Sequence, residues 1–497
     1  MADLRTRSQP RPRPRAWRLA PLIPADPQSS VENSTDGAAF AKDGPGSADR
    51  SRTGTRERLA RRMFEFGRGL RRLFATDARP EADGLTWTEL VTPELLSREA
   101  RGQCVDAGRV SAARPFEAWL RGAALWREHA RRTGVEDSLR RAEAAVADAD
   151  RAARSADQTA RAVLERLQID LLRFDLMGGA FLLESAIARA AGAPRKPGVR
   201  AEVLAGLAAV EGRLKARQSR MTASADGLKR AAIALDAAVD AADAANDPRR
   251  DDIRIERAAL ALEAGVGRRD PQLLDQAGRE LRALVAAADP DRRPLSRARA
   301  LTLCAAGLSA LAALAGDDAA HAQARTLFDA AADQFTPDHS PLDWTAIQLA
   351  RASTPGAVSL AVLLQAEALS AGLGLTLGAL ARDRRLEVEA AAAERAGDAS
   401  RLGRMAEEVR RRLRARRRAP VRDAADGRFV DPGDLDWAVD QIGLARLDAA
   451  LARQTGAARD GDMAFALFEA AEIARDRCAP ELAETAEALM PVRAVRA

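Results

Sequence analysis

The sequence predicts an all-α fold built from repeated helical hairpins. Alanine, leucine and arginine dominate the 497 residues, and all three favour helices. No window shows the alternation of β-branched or aromatic residues with polar residues that is typical of strands. Two short patterns also recur at related intervals, which indicates a repeat architecture. A repeat array grows by adding neighbours, so it accommodates a chain that is too long for one ordinary core.

The first pattern is an alanine followed by a large apolar residue four positions later. Its copies are Ala231-x3-Leu235-x2-Ala238, Ala277-x3-Leu281-x2-Leu284, Ala324-x3-Phe328-x2-Ala331 and Ala464-x3-Phe468-x2-Ala471. The first three copies begin 46 and 47 residues apart, and Pro290 and Pro337 follow two of them where a helix should stop. Each unit therefore predicts two packed helices, with a small residue on one helix admitting a large residue of the other.

The second pattern occurs twice, as Leu342-Asp343-Trp344-x3-Gln348 and Leu435-Asp436-Trp437-x3-Gln441, 93 residues apart. This interval is two units of the first pattern. We expect each copy to open a helix, with Ser340 or Asp343 as the cap and Pro341 near the start. A tryptophan at the same place in two repeats is more often a packing residue than a ligand platform.

The N-terminal region divides into three parts. Residues 1–55 are predicted to form a disordered basic tail, because arginines alternate with prolines and few large apolar residues follow. Residues 77–113 are expected to hold a linker and short helices. Between them, residues 56–76 predict a basic amphipathic helix. Its apolar face includes Phe66, Leu70 and Phe74, and its basic face includes Arg61, Arg62, Arg68, Arg71 and Arg72.

Four roles for the helix at 56–76 stay open. Its apolar face can pack on the first repeat, lie on an anionic membrane surface, or dock into a partner's groove, and its basic face can serve as a nucleic-acid patch. The apolar stretch at 19–23 is too short for a secretory signal, so we expect none. The sequence accordingly predicts a cytoplasmic protein, with peripheral membrane association as an alternative.

The repeat domain is predicted over residues 114–497. A helix from Phe116 to Trp126 should end at Gly134, and a long helical stretch should run over 135–190. The window 356–381 is almost entirely apolar and long enough to span a membrane. Glu367 near its centre, with Gly372 and Gly374 beyond it, favours a buried helical hairpin.

A second basic block closes a predicted helix near residue 418. It contains Arg410, Arg411, Arg412 and Arg414. Cations near a helix C-terminus interact favourably with the helix dipole, so a solvated helix end is the simpler interpretation. Contact with an anionic partner is the alternative.

The segments Ser340-Pro341-Leu342-Asp343-Trp344 and Asp434-Leu435-Asp436-Trp437 resemble the first-helix entry of degenerate tetratricopeptide repeats in bacterial arrays. The Ala-x3-Phe-x2-Ala pattern is similar to the second helix of such a unit, and Gly307 to the small residue of its first helix. The units here exceed the family's length of about 34 residues, and HEAT or armadillo units would fit the period equally well. The resemblance implies a tetratricopeptide-like solenoid that binds proteins or peptides, without catalytic residues.

Catalytic and metal-binding patterns are absent from the sequence. His129, His321 and His339 form no zinc motif, the three cysteines are isolated, and no phosphate-binding glycine loop occurs. We therefore expect no enzyme activity, cofactor, metal or small-molecule substrate, and a protein partner instead. A nucleic-acid or anionic-polymer binder that uses the arginine-rich segments is the alternative, although aromatic residues for base stacking are scarce.

Overall fold

The computed structural model describes residues 86–490, with gaps at 110, 196, 223, 246–249, 292, 353–357, 372, 374, 418–431 and 457–462. Within these residues the all-helical prediction is confirmed, since the structure contains 18 α-helices and no strand. A 3₁₀ turn at Thr86–Leu90 precedes them.

The bounds of the helices are as follows. The first nine are α1 (Pro93–Ala107), α2 (Pro115–Thr133), α3 (Glu136–Ala152), α4 (Ala156–Met177), α5 (Ala180–Ala191), α6 (Ala201–Met221), α7 (Ala225–Ala244), α8 (Arg250–Arg268) and α9 (Pro271–Ala287). The others are α10 (Pro294–Ala315), α11 (Asp318–Ala332), α12 (Pro341–Ala352), α13 (Leu360–Ser370), α14 (Thr376–Arg395), α15 (Ala399–Arg417), α16 (Pro432–Thr455), α17 (Met463–Asp476) and α18 (Pro480–Leu489).

Local sequence explains many helix boundaries. Asp317 caps α11 by accepting hydrogen bonds from the N–H groups of Ala319 and Ala320, at 2.9 and 3.1 Å. Asp270 caps α9 in the same way, through the N–H groups of Gln272 and Leu273. Gly134 ends α2 in the left-handed conformation, as the sequence predicts.

The even-numbered helices form two connected rows. In the first row α2 contacts α4, α4 contacts α6, α6 contacts α8, and α8 contacts α10. In the second row α12, α14, α16 and α18 are joined in the same order. Each odd-numbered helix packs against its neighbours in the chain, so hairpins form along the described chain.

The three regularly spaced copies of the alanine pattern lie at matching places in this arrangement. Their residues are buried on the second helices of three successive hairpins: α7, α9 and α11. Glycines allow close approach within two of the hairpins. A Cβ atom added to Gly212 of α6 would lie 3.0 Å from Leu235 of α7, and one added to Gly265 of α8 would lie 2.7 Å from Leu274 of α9.

The second row of even-numbered helices packs back on the first. Helix α12 contacts α2, and α14 contacts α4. The connection between α4 and α5 also meets that between α17 and α18, where the Gly179 N–H donates to the Asp476 carbonyl at 3.2 Å. Gly178 lies so close to Arg477 that an added Cβ would stand 2.1 Å from the Arg477 carbonyl oxygen. The α4–α5 connection is thus joined to the α17–α18 connection near the end of the described chain.

Two sequence-based boundaries differ from the structure. The stretch at 135–190 is three helices, because Ser155 caps α4 and Gly178 and Gly179 separate α4 from α5. The segment 77–113 contains the 15-residue α1, which packs on α2. The apolar window at 356–381 covers α13 and the start of α14, which contact each other.

The described residues of the window at 356–381 contain no membrane-spanning helix. Among the helices of the described residues, none combines the length and apolar character needed to cross a membrane. Glu367 in α13 pairs with both Arg382 and Arg385 of α14. The acidic residue at the centre of the window therefore joins the two helices of a hairpin.

Candidate functional site

Asp343 of the first Leu-Asp-Trp segment forms an ion pair with an arginine from a distant part of the chain, Arg131. Asp343 lies in the first turn of α12, so it is not the helix cap. Ser340 precedes the helix and donates its hydroxyl hydrogen to the Asp343 carboxylate. Arg131 of α2 donates to both carboxylate oxygens, at 2.9 and 3.2 Å. Burial opposes ionisation, but Arg131 and Arg299 outweigh it and lower the pKa of Asp343 to about 2.

The Arg131 side chain belongs to a larger buried cluster where α2, α10, α12 and the Thr86–Leu90 turn meet. Glu128 accepts from both Arg131 and Arg132 at 2.8 Å. Arg132 is fully buried and donates to the carbonyls of Val91 and Thr88. Burial opposes the charge on Glu128, but the neighbouring arginines keep its pKa well below the ordinary value. The cluster joins distant segments, and each of its carboxylates, Glu128 and Asp343, pairs with guanidiniums of the same cluster.

Asp436 of the second segment has the same kind of partner. Its carboxylate oxygens accept from Arg382 of α14 at 2.9 Å and from Arg416 of α15 at 3.3 Å. One turn later, fully buried Asp440 pairs with Arg412 and Arg416. Burial raises the pKa of Asp440 despite these arginines. Both repeated aspartates therefore receive arginines from other helices.

The other residues of the two Leu-Asp-Trp segments lie in the packed interior. Leu342, Trp344 and Gln348 are buried on α12, and Leu435 and Gln441 are buried on α16. Trp437 packs against two hydrophobic clusters, one formed with α17 and α18 and the other with α15. Neither indole is presented as a platform for a ligand.

The alanine pattern at 464–471 differs from the three earlier copies. Ala324 and Phe328 are buried on α11, with Phe328 only 1% exposed. Ala464 is half-buried, and Phe468 is 55% exposed on α17. Leu467, with three alanines of α17, faces the core instead. The fourth copy lies in a different helical register, in which Phe468 faces away from the core. Its equivalence to the Ala324 copy is therefore wrong.

The arginine block of α15 is largely engaged in internal ion pairs. Arg410 donates to Asp448 at 2.8 Å, Arg412 pairs with Asp440 and Glu408, and Arg414 pairs with Glu407. Arg411 is exposed. The block thus binds acidic residues of its own and the next helix. The other basic segment, 56–76 with Arg61, Arg62, Phe66, Arg68, Leu70, Arg71, Arg72 and Phe74, lies outside the described residues.

Histidines and cysteines are placed as structural groups. Burial raises the pKa of Cys104 and raises that of Cys304 to about 12, so both thiols stay protonated at neutral pH. Burial and Arg132 lower the pKa of His339 to about 4. Among the described residues, no group of three or more metal-ligating side chains converges on one point.

One open groove lies on the surface of the first three helices. It has a volume of about 310 Å³ between α1 and α3, above α2. Trp119 and Trp126 of α2 line it, with Val105 of α1 at one side. Arg101 and Arg141 place their guanidinium carbons 6.0 and 5.0 Å from the centre of a Trp126 ring. Aromatic rings beside cations can bind an apolar side chain that has a negatively charged group next to it.

Sequence reasoning missed this groove because three helices contribute to it. A partial signal exists, since Trp119 and Trp126 are seven residues apart and therefore share one face of a helix. The partners of that face cannot be identified until the packing of α1 and α3 is known.

Comparisons with known proteins give no assignment. Neither the protein-family models nor the curated protein sequences include a match to this chain.

Proposed function

We propose that this protein is a non-enzymatic scaffold that binds a segment of another protein on the surface of a tetratricopeptide-like array of helical hairpins. The regular hairpins α6–α7, α8–α9 and α10–α11, with connected even-numbered helices, support this architecture. Such arrays present long helical surfaces, and binding of proteins is their usual use.

The distribution of exposed apolar side chains carries the proposal. In the described part of the chain, most of the exposed large apolar side chains lie on odd-numbered helices. They are Leu95 and Val105 on α1, Phe181 on α5, Ile233 on α7, Leu364 on α13, and Phe465 and Phe468 on α17. Leu204 on α6 and Val266 on α8 are also exposed, to a smaller extent. Exposed apolar side chains indicate a binding surface where they lie together, as Phe465 and Phe468 do three residues apart on α17. The even-numbered helices instead form ion pairs with one another.

The ion pairs between even-numbered helices support a structural use of most buried charge. Arg217 of α6 binds Asp175 of α4 at 2.9 Å and Glu256 of α8 at 3.0 Å. Arg446 of α16 binds Asp383 of α14 at 2.7 Å. These carboxylates and guanidiniums neutralise each other, which leaves them poorly suited to general acid or base catalysis. The same pairing in α15 makes anionic polymers a weaker candidate for the partner.

Membrane tethering through residues 56–76 remains part of the proposal. That helix is a sequence prediction, and its removal separates tethering from partner binding. A chain without residues 1–76 should keep its protein partner and lose any association with anionic vesicles.

Site-specific photo-crosslinking in the native host tests the proposed function. A photoreactive amino acid is placed singly at positions 105, 233 and 468, on three odd-numbered helices, and at buried position 328 as the control. We expect at least one exposed position to give a discrete, saturable adduct with another protein, and position 328 to give none. Absence of a protein adduct at all three exposed positions would overturn the proposal.

A further inference from the structure

The groove between α1 and α3 is formed by a particular set of small and large residues. Gly122 lets α1 lie close to α2, because an added Cβ would stand 2.7 Å from the Cys104 sulfur. On α3 the groove is lined by Ala144 and Ala145, whose short side chains leave the space unfilled. The tryptophans of α2 consequently meet a gap between α1 and α3, where larger residues would have closed it.

The groove exposes apolar surface on the side formed by α1. Val105 is 61% exposed although it is a β-branched aliphatic residue on a regular helix. Trp119 lies half-buried beside it. An inserted side chain would cover Val105 and contact the Trp119 indole. Burial of aliphatic and aromatic surface of this kind provides most of the affinity of small protein anchors.

The charge available at the groove is positive. Asp148 lines the groove but pairs with Arg151, and Arg141 pairs with Asp137 at 2.7 Å. Within the described part of the chain, Arg101 has no carboxylate partner, and its guanidinium lies against Trp126. A guanidinium held over an aromatic ring keeps its hydrogen-bond donors available at its edge. A carboxylate at the mouth of the groove would therefore complete the site.

Building on the proposed scaffold function, we propose that this groove binds an acidic segment of a partner protein by inserting one large apolar side chain next to a carboxylate. The apolar side chain lies against Val105 and Trp119. The neighbouring carboxylate of the segment accepts hydrogen bonds from Arg101. Charge complementarity selects an acidic segment, because the other charged side chains that line the groove already have partners.

Selection from a random peptide library displayed on phage, with the full chain as bait, tests this site. We expect the enriched peptides to carry phenylalanine, leucine or tryptophan beside aspartate or glutamate. Synthetic versions of these peptides are then titrated against wild type and variants by fluorescence anisotropy. Arg101→Glu and Val105→Asp should each weaken binding by about tenfold or more, since each removes one half of the recognition.

A matched variant separates the local effect from a general change in charge. Arg98→Glu makes the same substitution one turn away on α1, at an exposed residue that does not line the groove. It should leave affinity within about twofold of wild type, since isolated surface charges contribute little. Circular dichroism and thermal unfolding of each variant establish that the fold is retained.

The outcomes distinguish this inference from the proposed function. If the selected peptides bind the Val105→Asp and Arg101→Glu variants as tightly as they bind wild type, the groove is not their binding site. The proposed scaffold function would still stand. Enrichment of basic peptides at the groove would also overturn the inference. If the library yields no binder and the photoreactive group at position 105 yields no adduct while one at 233 or 468 does, the groove is excluded and the scaffold is kept.

Discussion

Arg131 and Asp343 are 212 residues apart in the sequence, yet the Arg131 Nη1 atom lies 2.9 Å from one carboxylate oxygen of Asp343 and 3.2 Å from the other. This ion pair joins α2 to α12, where the second row of even-numbered helices meets the first. Both side chains are about one-fifth exposed, so neither charge is fully solvated if its partner is lost.

The contribution of Asp343 to stability should depend on pH. Its carboxyl has a pKa of about 2 in the folded chain, against an ordinary value of 3.8. Since the folded-state pKa is the lower one, stabilisation is present above the ordinary value and is lost as the pH falls through that range. Asp343→Asn should therefore lower the unfolding free energy by about 2 kcal/mol at neutral pH, and by much less near pH 2.

Urea unfolding at a series of pH values measures this effect. Asp338→Asn, which alters an exposed aspartate in the segment just before α12, serves as the control and should change stability by less than about 0.5 kcal/mol. An Asp343→Asn deficit that stays constant from pH 7 to pH 2 would show that ionisation of this carboxyl is not responsible.

Gly178 should be the least replaceable glycine in the described chain. Its φ is 69° and its ψ is −163°, a combination open essentially to glycine alone, and the Arg477 carbonyl blocks an added Cβ. Gly178→Ala should cost at least about 3 kcal/mol. Gly316→Ala, at a similar φ but with open space around it, should cost only about 1 kcal/mol.

Amide hydrogen exchange locates the damage from Gly178→Ala. We expect faster exchange in the turn before α18 as well as at the α4–α5 connection, because the Gly179 N–H bonds to the Asp476 carbonyl. Exchange that changes only around residue 178 would contradict a junction between these two turns.

A pair of glycines tests the close packing of the α8–α9 hairpin. Gly265 faces Leu274, and an added Cβ would lie 2.7 Å from both its Cγ and a terminal carbon. Gly265→Ala should lower stability by about 1 to 3 kcal/mol through overpacking. Gly278 of α9 has no neighbour within 4 Å of an added Cβ, so Gly278→Ala should raise stability by up to about 1 kcal/mol. Thermal unfolding of the two variants should therefore shift in opposite directions.

The two phenylalanines of the alanine pattern provide a test of the observed helical register. Phe328→Ala should cost about 3 to 5 kcal/mol, because this ring is buried in the core of the α10–α11 hairpin. Phe468→Ala should change stability by less than about 0.5 kcal/mol, because its ring is exposed on α17. Equal losses in denaturant unfolding would restore the equivalence that the sequence pattern suggests.

Local patterns in the sequence predicted the all-helical fold. The burial of Ala231, Ala277 and Ala324 follows from helical periodicity and spacing, which depend on near neighbours. The partner of Asp343 could not be predicted, because an aspartate near a helix start fits a cap as well as an acceptor for a distant arginine. The register of α17 was also hidden, since Phe468 and Leu467 are adjacent and either could face the core.

The groove illustrates a further limit. Trp126 was visible in the sequence, but whether its surroundings would be filled depends on Ala144 of α3 and on how closely α1 approaches Gly122. Space of this kind arises from the packing of three helices, and no single-helix pattern reports it.

A double-mutant cycle on Arg131 and Asp343 tests most directly the central claim that the second row of helices is fastened to the first through α2 and α12. Arg131→Met, Asp343→Leu and the double variant are compared with wild type by urea unfolding at neutral pH. We predict a coupling energy of about 2 kcal/mol, with the double variant more stable than the two single losses imply. If the two single losses add to within about 0.5 kcal/mol, the result would contradict this contact between the two rows of helices.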